Sequence, residues 1–277
     1  MLKWIVKCLL PVALLGHIFY PTFLWMADRW MARDSYFGHG VLIPLVALYW
    51  IFKKKDQILR VEKKSDPWGL FVLILGVSLQ AVSSVLRIYF LSGLAFVIIL
   101  LGTIQFLFGS KALGLIWFPV SFLFLMVPLP LLVISEVTLK LKFFVSEVSA
   151  YLLRSIGIKA VREGSYIYMP HAYLLVGDPC SGLRSILAFL CLGPIFAYGS
   201  GLDWEKKALL VGSGFPLALL SNIVRVFFLA LLSEIYGMEI IFSWVHDASG
   251  FGAFIFAVLA FFYFRKRLEP VPPLVAR

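Results

Sequence analysis

The sequence predicts an all-α polytopic membrane protein of about eight transmembrane helices, with an outer amphipathic helix and a short β-hairpin ahead of the sixth span. Three observations carry that expectation. Of 277 residues, 61% are hydrophobic and only 14% charged, against about half and about a quarter in an average soluble domain. The apolar residues fall into runs close to the ~20 residues that a spanning helix needs. Charges and turn formers collect between those runs. So large an apolar excess cannot be hidden in a water-soluble core of this size. Disorder, a secreted disulfide scaffold and a cytosolic enzyme are therefore excluded as leading readings.

The runs lie roughly at 4–26, 38–52, 68–86, 88–108, 112–134, 182–201, 208–232 and 249–264. The second and last are short and must extend into their flanks, which sets His39 at a helix entrance. Prolines inside several runs (Pro44, Pro119, Pro128, Pro130, Pro194, Pro216) are tolerated where neighbouring helices cover the freed carbonyls. Lys3 and Lys7 precede the first run as in a signal peptide, but no small-x-small cleavage site follows, and it reads as a retained span. An even number of spans puts both termini on one side. Placing that side in the cytoplasm gathers there Lys3, Lys7, the cluster from Lys53 to Lys64, Lys111, Lys206, Lys207, Arg265, Lys266, Arg267 and Arg277. Arg29, Arg33, Arg87 and the cations of one long loop remain outside. This is the better fit to the positive-inside rule. The net charge of +10 is then mainly a topology signal, and nucleic acid is not expected as a partner.

The long outer loop, 135–179, is more than a connector. In its first half Val137, Leu141, Phe144, Val148, Leu152 and Ile156 recur at helical spacing, with Lys140, Glu147 and Arg154 between them. That pattern predicts a helix lying along the outer membrane surface. The second half alternates and is rich in Tyr, Ile and Val around Met169-Pro170-His171, predicting the hairpin. No internal repeat is visible, so inverted-repeat transporter folds get no support.

Ionisable residues inside apolar spans are costly and point to function. Arg225, in ALLSNIVRVFFLALL, stands about 10 Å from the outer end of its run at ~1.5 Å per residue, and Asn222 shares its helical face. Cys180 opens the sixth span in CSGLRS, with Ser181 and Gly182 beside it and Arg184 at i+4. A helix amino terminus and a nearby guanidinium both favour a thiolate. Cys8 and Cys191 read as small hydrophobes, and the three cysteines lie too far apart for a zinc or disulfide framework. His246, in SWVHDASG just before the last span, falls at the same depth as the others. A thiol, an imidazole that exchanges protons near neutral pH and a fixed cation are the parts of acyl transfer. Other chemistries fit poorly. H-E-x-x-H is absent, the nearest approach to a G-x-S-G motif is Val211-Gly212-Ser213-Gly214, and Asp178 and Asp247 stand only at span edges. No metal and no cofactor are expected, and direct ATP use is not indicated. Two further readings stay open: an anion or lipid-linked substrate transporter using Arg225 and Arg184, and a non-enzymatic partner of an export or polysaccharide system.

The segments Cys180-Ser-Gly-Leu-Arg-Ser185, Asn222-Ile-Val-Arg-Val226 and His246 resemble the exosortase/archaeosortase family. Tyr36-Phe37-Gly38-His39-Gly40 and Val127-Pro128-Leu129-Pro130 match it as well. The resemblance covers nearly the whole chain, 1–277, as one integral-membrane domain of the bacterial, single-domain type. It implies a membrane-embedded cysteine transpeptidase of the bacterial inner membrane, working at its outer face. Its partners would be membrane lipid and exported proteins whose carboxy-terminal tails carry a short motif such as Pro-Glu-Pro, a transmembrane helix and a basic cluster. By that resemblance Cys180 is the nucleophile, His246 the acid/base and Arg225 the third catalytic residue. Arg184, Asn222 and Ser181 are assigned to substrate or oxyanion contacts, and His39 and His171 to a substrate entrance or to structure. Pro179 stands where members often have Ala. The sequence names neither the substrate, the acceptor nor the oligomeric state.

Overall fold

The structure, a computed structural model, describes residues 2–237, 239 and 244–269, with side chains from Leu14 onward. Lys3, Lys7 and Cys8 fall outside the described side chains, and Arg277 outside the described residues. The chain is mostly helical and divides into two compact units, Met1–Pro130 and Leu131–Arg277.

The first unit holds α1 (Leu2–Met31), α2 (Leu42–Lys53), the short α3 (Lys55–Arg60), α4 (Pro67–Leu86) and α5 (Tyr89–Phe122). His39 sits in a 3-10 turn, Gly38–Val41, that leads into α2. Helix α4 starts cleanly because Pro67 fixes the first helical φ and the Asp66 carboxylate accepts the Trp68 N–H at 3.0 Å. Asp66 also accepts from Ser110 and Gln105, and these bonds hold its carboxyl below the usual range, Ser110 first. Only Arg87, left-handed at φ 54°, and Ile88 separate α4 from α5. The two helices therefore run back antiparallel, in contact along their length.

Glycine makes that contact possible. A Cβ on Gly69 would lie 2.2 Å from the Phe106 nitrogen, and one on Gly102 would lie 2.5 Å from the Leu73 nitrogen. Backbone packs on backbone, as is common where lipid supplies no hydrophobic drive between helices. A buried polar chain braces the same unit: Thr22 and Ser92 hydroxyls at 2.6 Å, with Ser92 donating on to Gln80 at 2.7 Å.

The second unit contains α6 (Leu131–Ser155), strands β1 (Val161–Glu163), β2 (Tyr166–Tyr168) and β3 (Tyr173–Leu175), then α7 (Leu183–Gly199), α8 (Trp204–Tyr236) and α9 (Trp244–Leu268). Ile167 and Leu174 point from the sheet into a core shared with Val145 and Leu153 of α6 and Val226 and Leu229 of α8. Tyr166, Tyr168 and Tyr173 occupy the other face, their rings in mutual contact. A second core gathers Phe189, Leu210, Ala218 and Phe261 from α7, α8 and α9.

Several expectations are corrected. The runs at 88–108 and 112–134 do form two helical segments of α5, separated by the non-helical Gly109 (φ 85°, ψ 169°), with Val127 packed back on Gly93. The second run ends early, because Pro128 and Pro130 cannot continue it, and residues 131–134 open α6. The expected hairpin is a three-stranded antiparallel sheet in the order β1-β2-β3. Within the protein, Val137, Phe144 and Ile156 of the apolar stripe of α6 stay exposed, while Ile134, Val145, Ser149, Ala150 and Leu153 are covered. Small side chains there let α8 come close. Among the described residues, four helices are long and apolar enough to cross a membrane: Pro67–Leu86, Tyr89–Met126, Trp204–Tyr236 and Trp244–Leu268. Gly38–Lys53 and Leu183–Gly199 are apolar but shorter.

Gly102→Ala is expected to force α4 and α5 apart and destabilise the protein by about 1–3 kcal/mol. Heating the detergent-solubilised chain and following its loss of fold measures this, whereas Gly114→Ala, whose Cβ meets nothing within 4 Å, serves as the neutral comparison.

Candidate active site

Cys180 closes a tight 3-10 turn, Asp178–Cys180, whose shape is set by its own main chain. The Cys180 N–H donates to the Gly177 carbonyl at 3.0 Å, and the Ser181 hydroxyl donates to the Asp178 carbonyl at 2.8 Å. Pro179 pre-sets φ for the turn. Lys142 of α6 holds the Asp178 carboxylate at 2.8 Å, tying the turn to that helix. Gly182 follows with φ 82°, a left-handed conformation that glycine adopts without penalty, and α7 begins after it. A Cβ on Gly182 would also press to 3.0 Å from the Asn222 side chain.

That glycine overturns one expectation about geometry. Cys180 and Arg184 do not share a helical face at i+4, because the chain reverses hand between them. Arg184 stands exposed on the first turn of α7, while Cys180 is buried with 5% of its surface exposed.

His246 is the thiol's neighbour. It lies on the first turn of α9, which begins at Trp244 rather than after the histidine. Its Nε2 is 3.3 Å from Cys180 Sγ. The Asp247 carboxylate stands 3.5 Å from the other ring nitrogen, yet that side chain is 95% exposed. Such a long, solvated contact biases the tautomer weakly at best.

Arg225 projects from α8 between the two segments. One terminal nitrogen donates to the Pro179 carbonyl at 3.2 Å and the other to the His246 carbonyl at 3.1 Å; Nε donates to the Ser249 hydroxyl at 3.2 Å. One turn earlier on α8, the buried Asn222 amide donates to the carbonyl of Cys180 itself at 2.6 Å. Residues 222 and 225 of one helix thus hold the nucleophile loop at consecutive carbonyls. Helix α8 runs on to Tyr236, so Arg225 lies about 16 Å from its end at ~1.5 Å per residue.

The structure therefore brings together Cys180, Asn222, Arg225 and His246. Ser181 is committed to its own turn. His171, in the turn between β2 and β3, gives its main-chain N–H and its Nδ1 to the Glu234 carboxylate at 3.0 and 2.8 Å, and so fastens the sheet to α8. His39 belongs to the first unit. Sequence reasoning missed Ser249, although its position three residues after His246, one helical turn on, was a usable signal. Among the described residues no group of three or more His, Cys, Asp or Glu side chains forms a metal site.

Burial pushes the Cys180 thiol above its ordinary value, and the Arg225 cation opposes that in part. The turn that carries Cys180 lies ahead of α7, outside the helix. Burial thus works against the thiolate and Arg225 for it.

Residues 29–263 match the family model described as transmembrane exosortase, Exosortase_EpsH. The chain belongs to the exosortase family. The match includes every residue of the constellation just described and the segments around His39 and Pro128. No curated protein and no solved structure matches the chain.

With Cys180 as the only thiol left in the chain, its alkylation by iodoacetamide is expected to stay slow through neutral pH. It should rise only above the ordinary cysteine range near ~8.5. Arg225→Ala removes the opposing cation and moves the rise to still higher pH; rate against pH in membrane vesicles measures both.

Proposed function

We propose that this exosortase-family membrane protein is a cysteine peptidase and transpeptidase that cuts the carboxy-terminal sorting tails of exported proteins. The observation that carries the reading is the 3.3 Å approach of Cys180 Sγ to His246 Nε2, with Arg225 bonded to the main chain on both sides of the pair. The matched region runs through both compact units, which supports treating them as parts of one functional domain.

In this reading attack and proton transfer are coupled. Cys180 Sγ bonds to the scissile carbonyl carbon as its proton passes to His246 Nε2, and the carbonyl electrons move onto oxygen. The guanidinium has five N–H groups, and the three bonds above leave donors on its terminal nitrogens for that oxyanion. Collapse expels the amine, which takes the proton from His246, and leaves a thioester on Cys180. An acceptor amine, or water, then attacks the thioester and releases the thiol. Exposed Arg184 is placed to meet the substrate before the chemistry rather than at the oxyanion.

In this reading the tail's helix docks among eight spans of an inner membrane, with both termini of the enzyme cytoplasmic and the cut made at the outer face.

Co-expression with a reporter bearing a sorting tail from the same genome tests the proposal. A shortened reporter is expected with the wild-type chain and none with Cys180→Ala, while Arg225→Ala slows processing by at least about 100-fold. Mass analysis of the new carboxyl end separates hydrolysis from transfer. Equal shortening with Cys180→Ala, both chains being inserted, would overturn the assignment and return transport to the front.

A further inference from the structure

We propose that Ser249 is a positioning residue of this site: its hydroxyl locks the plane of the Arg225 guanidinium onto α9 and so fixes the cation between the Cys180 loop and His246. The inference rests on the reading of Cys180 and His246 as the catalytic pair, and goes beyond it by adding a residue that the chemistry itself does not name.

A serine hydroxyl has one proton to give and can accept more than one. Ser249 Oγ donates to the His246 carbonyl at 2.7 Å and accepts from Arg225 Nε at 3.2 Å. The same carbonyl accepts from an Arg225 terminal nitrogen at 3.1 Å, so Arg225, Ser249 and the His246 main chain close a ring of three hydrogen bonds. Without Nε the guanidinium would be held only at its two terminal nitrogens, by the Pro179 and His246 carbonyls. The stem tethers Nε only through rotatable bonds, so the plane keeps some freedom to tilt about the line joining those two nitrogens; the Ser249 bond at Nε reduces it. Orientation, not mere presence, decides how a planar fork acts on its neighbours.

The next residue confirms that the fit is close. A Cβ on Gly250 would stand 3.0 Å from the guanidinium carbon and from one terminal nitrogen. Helix α9 thus meets Arg225 with one small hydroxyl followed by no side chain at all. Among the described residues, the titratable or charged groups in contact with His246 are Cys180 from the loop and Asp247 on its own helix, with Arg225 of α8 on its carbonyl. Asp247 is solvated, so Arg225 is the charge whose placement matters.

The test needs no substrate. In a full-length chain carrying Cys8→Ser and Cys191→Ser, reconstituted in lipid vesicles, iodoacetamide reacts with Cys180 alone, and the midpoint of rate against pH reports the cation's grip on the thiol. Ser249→Ala is expected to move that midpoint upward, in the direction of Arg225→Ala, and to slow alkylation at about pH 8 by at least about threefold. Ser249→Thr, which keeps a hydroxyl able to bond the same carbonyl, restores it. An Arg225→Ala midpoint that does not move sinks the reading of the site and this inference with it. If Arg225→Ala moves the midpoint while Ser249→Ala does not, only the role of Ser249 is overturned. Loss of fold would instead expose the thiol and shift the midpoint downward. In that case Gly250→Ala, which crowds the guanidinium and spares the hydroxyl, decides: an unmoved midpoint there overturns the proposal.

Discussion

One side chain holds the second unit's chemistry in register. The Arg225 guanidinium reaches the Pro179 carbonyl on one segment and the His246 carbonyl on another, so the thiol and the imidazole inherit their spacing from a rigid fork. A contact of 3.3 Å between sulfur and nitrogen is too weak to assemble such a site alone. Hydrogen bonds from a charged donor are worth roughly 1.5–3 kcal/mol each, and they do the assembling. Lysine would bring one point charge to the same place and could not fix two carbonyls at a set angle. Asn222 extends the same logic one residue further along the loop, and Gly182 is required because any larger residue would meet that amide.

The surface of the protein follows from its solvent. Leucine, phenylalanine and valine cover much of the outside of α4, α8 and α9, as expected of helices that face lipid. Hydrophobicity then cannot tell a helix which neighbour to choose. Close backbone approach at Gly69 and Gly102, and the chain from Thr22 through Ser92 to Gln80, supply the missing specificity in the first unit. In the second unit the small face of α6 against α8 plays the same part.

Most helices, and the residues that meet in the site, were legible in the sequence for a physical reason. Apolar runs of spanning length and polar groups inside them are rare by chance, so Cys180, Asn222, Arg225 and His246 stood out individually. What stayed hidden were the relations between them. Helical spacing placed Arg184 beside Cys180, because nothing local reveals that Gly182 adopts a left-handed conformation and resets the helix. Apolar periodicity marked the exposed stripe of α6 but not its packed face, where Ser146, Ser149 and Ala150 lie among Ile134, Val145 and Leu153. Prolines at 128 and 130 were read as tolerated within a run, where in fact they end it. Ser249 carried one signal, its place a helical turn after His246, but nothing local reveals that an arginine meets it from another helix.

The order of the parts along the chain has a consequence for biogenesis. The thiol comes at residue 180, the guanidinium at 225 and the imidazole at 246, on the first turn of the last described helix. A ribosome delivers them in that sequence. A nascent chain that has reached α8 already carries its sulfur, and Arg225 can bond the Pro179 carbonyl, but the sulfur has no base within reach. Under the proposed assignment the Cys180–His246 pair is complete only once α9 is in place, so a chain that stops short of α9 lacks the proposed proton carrier.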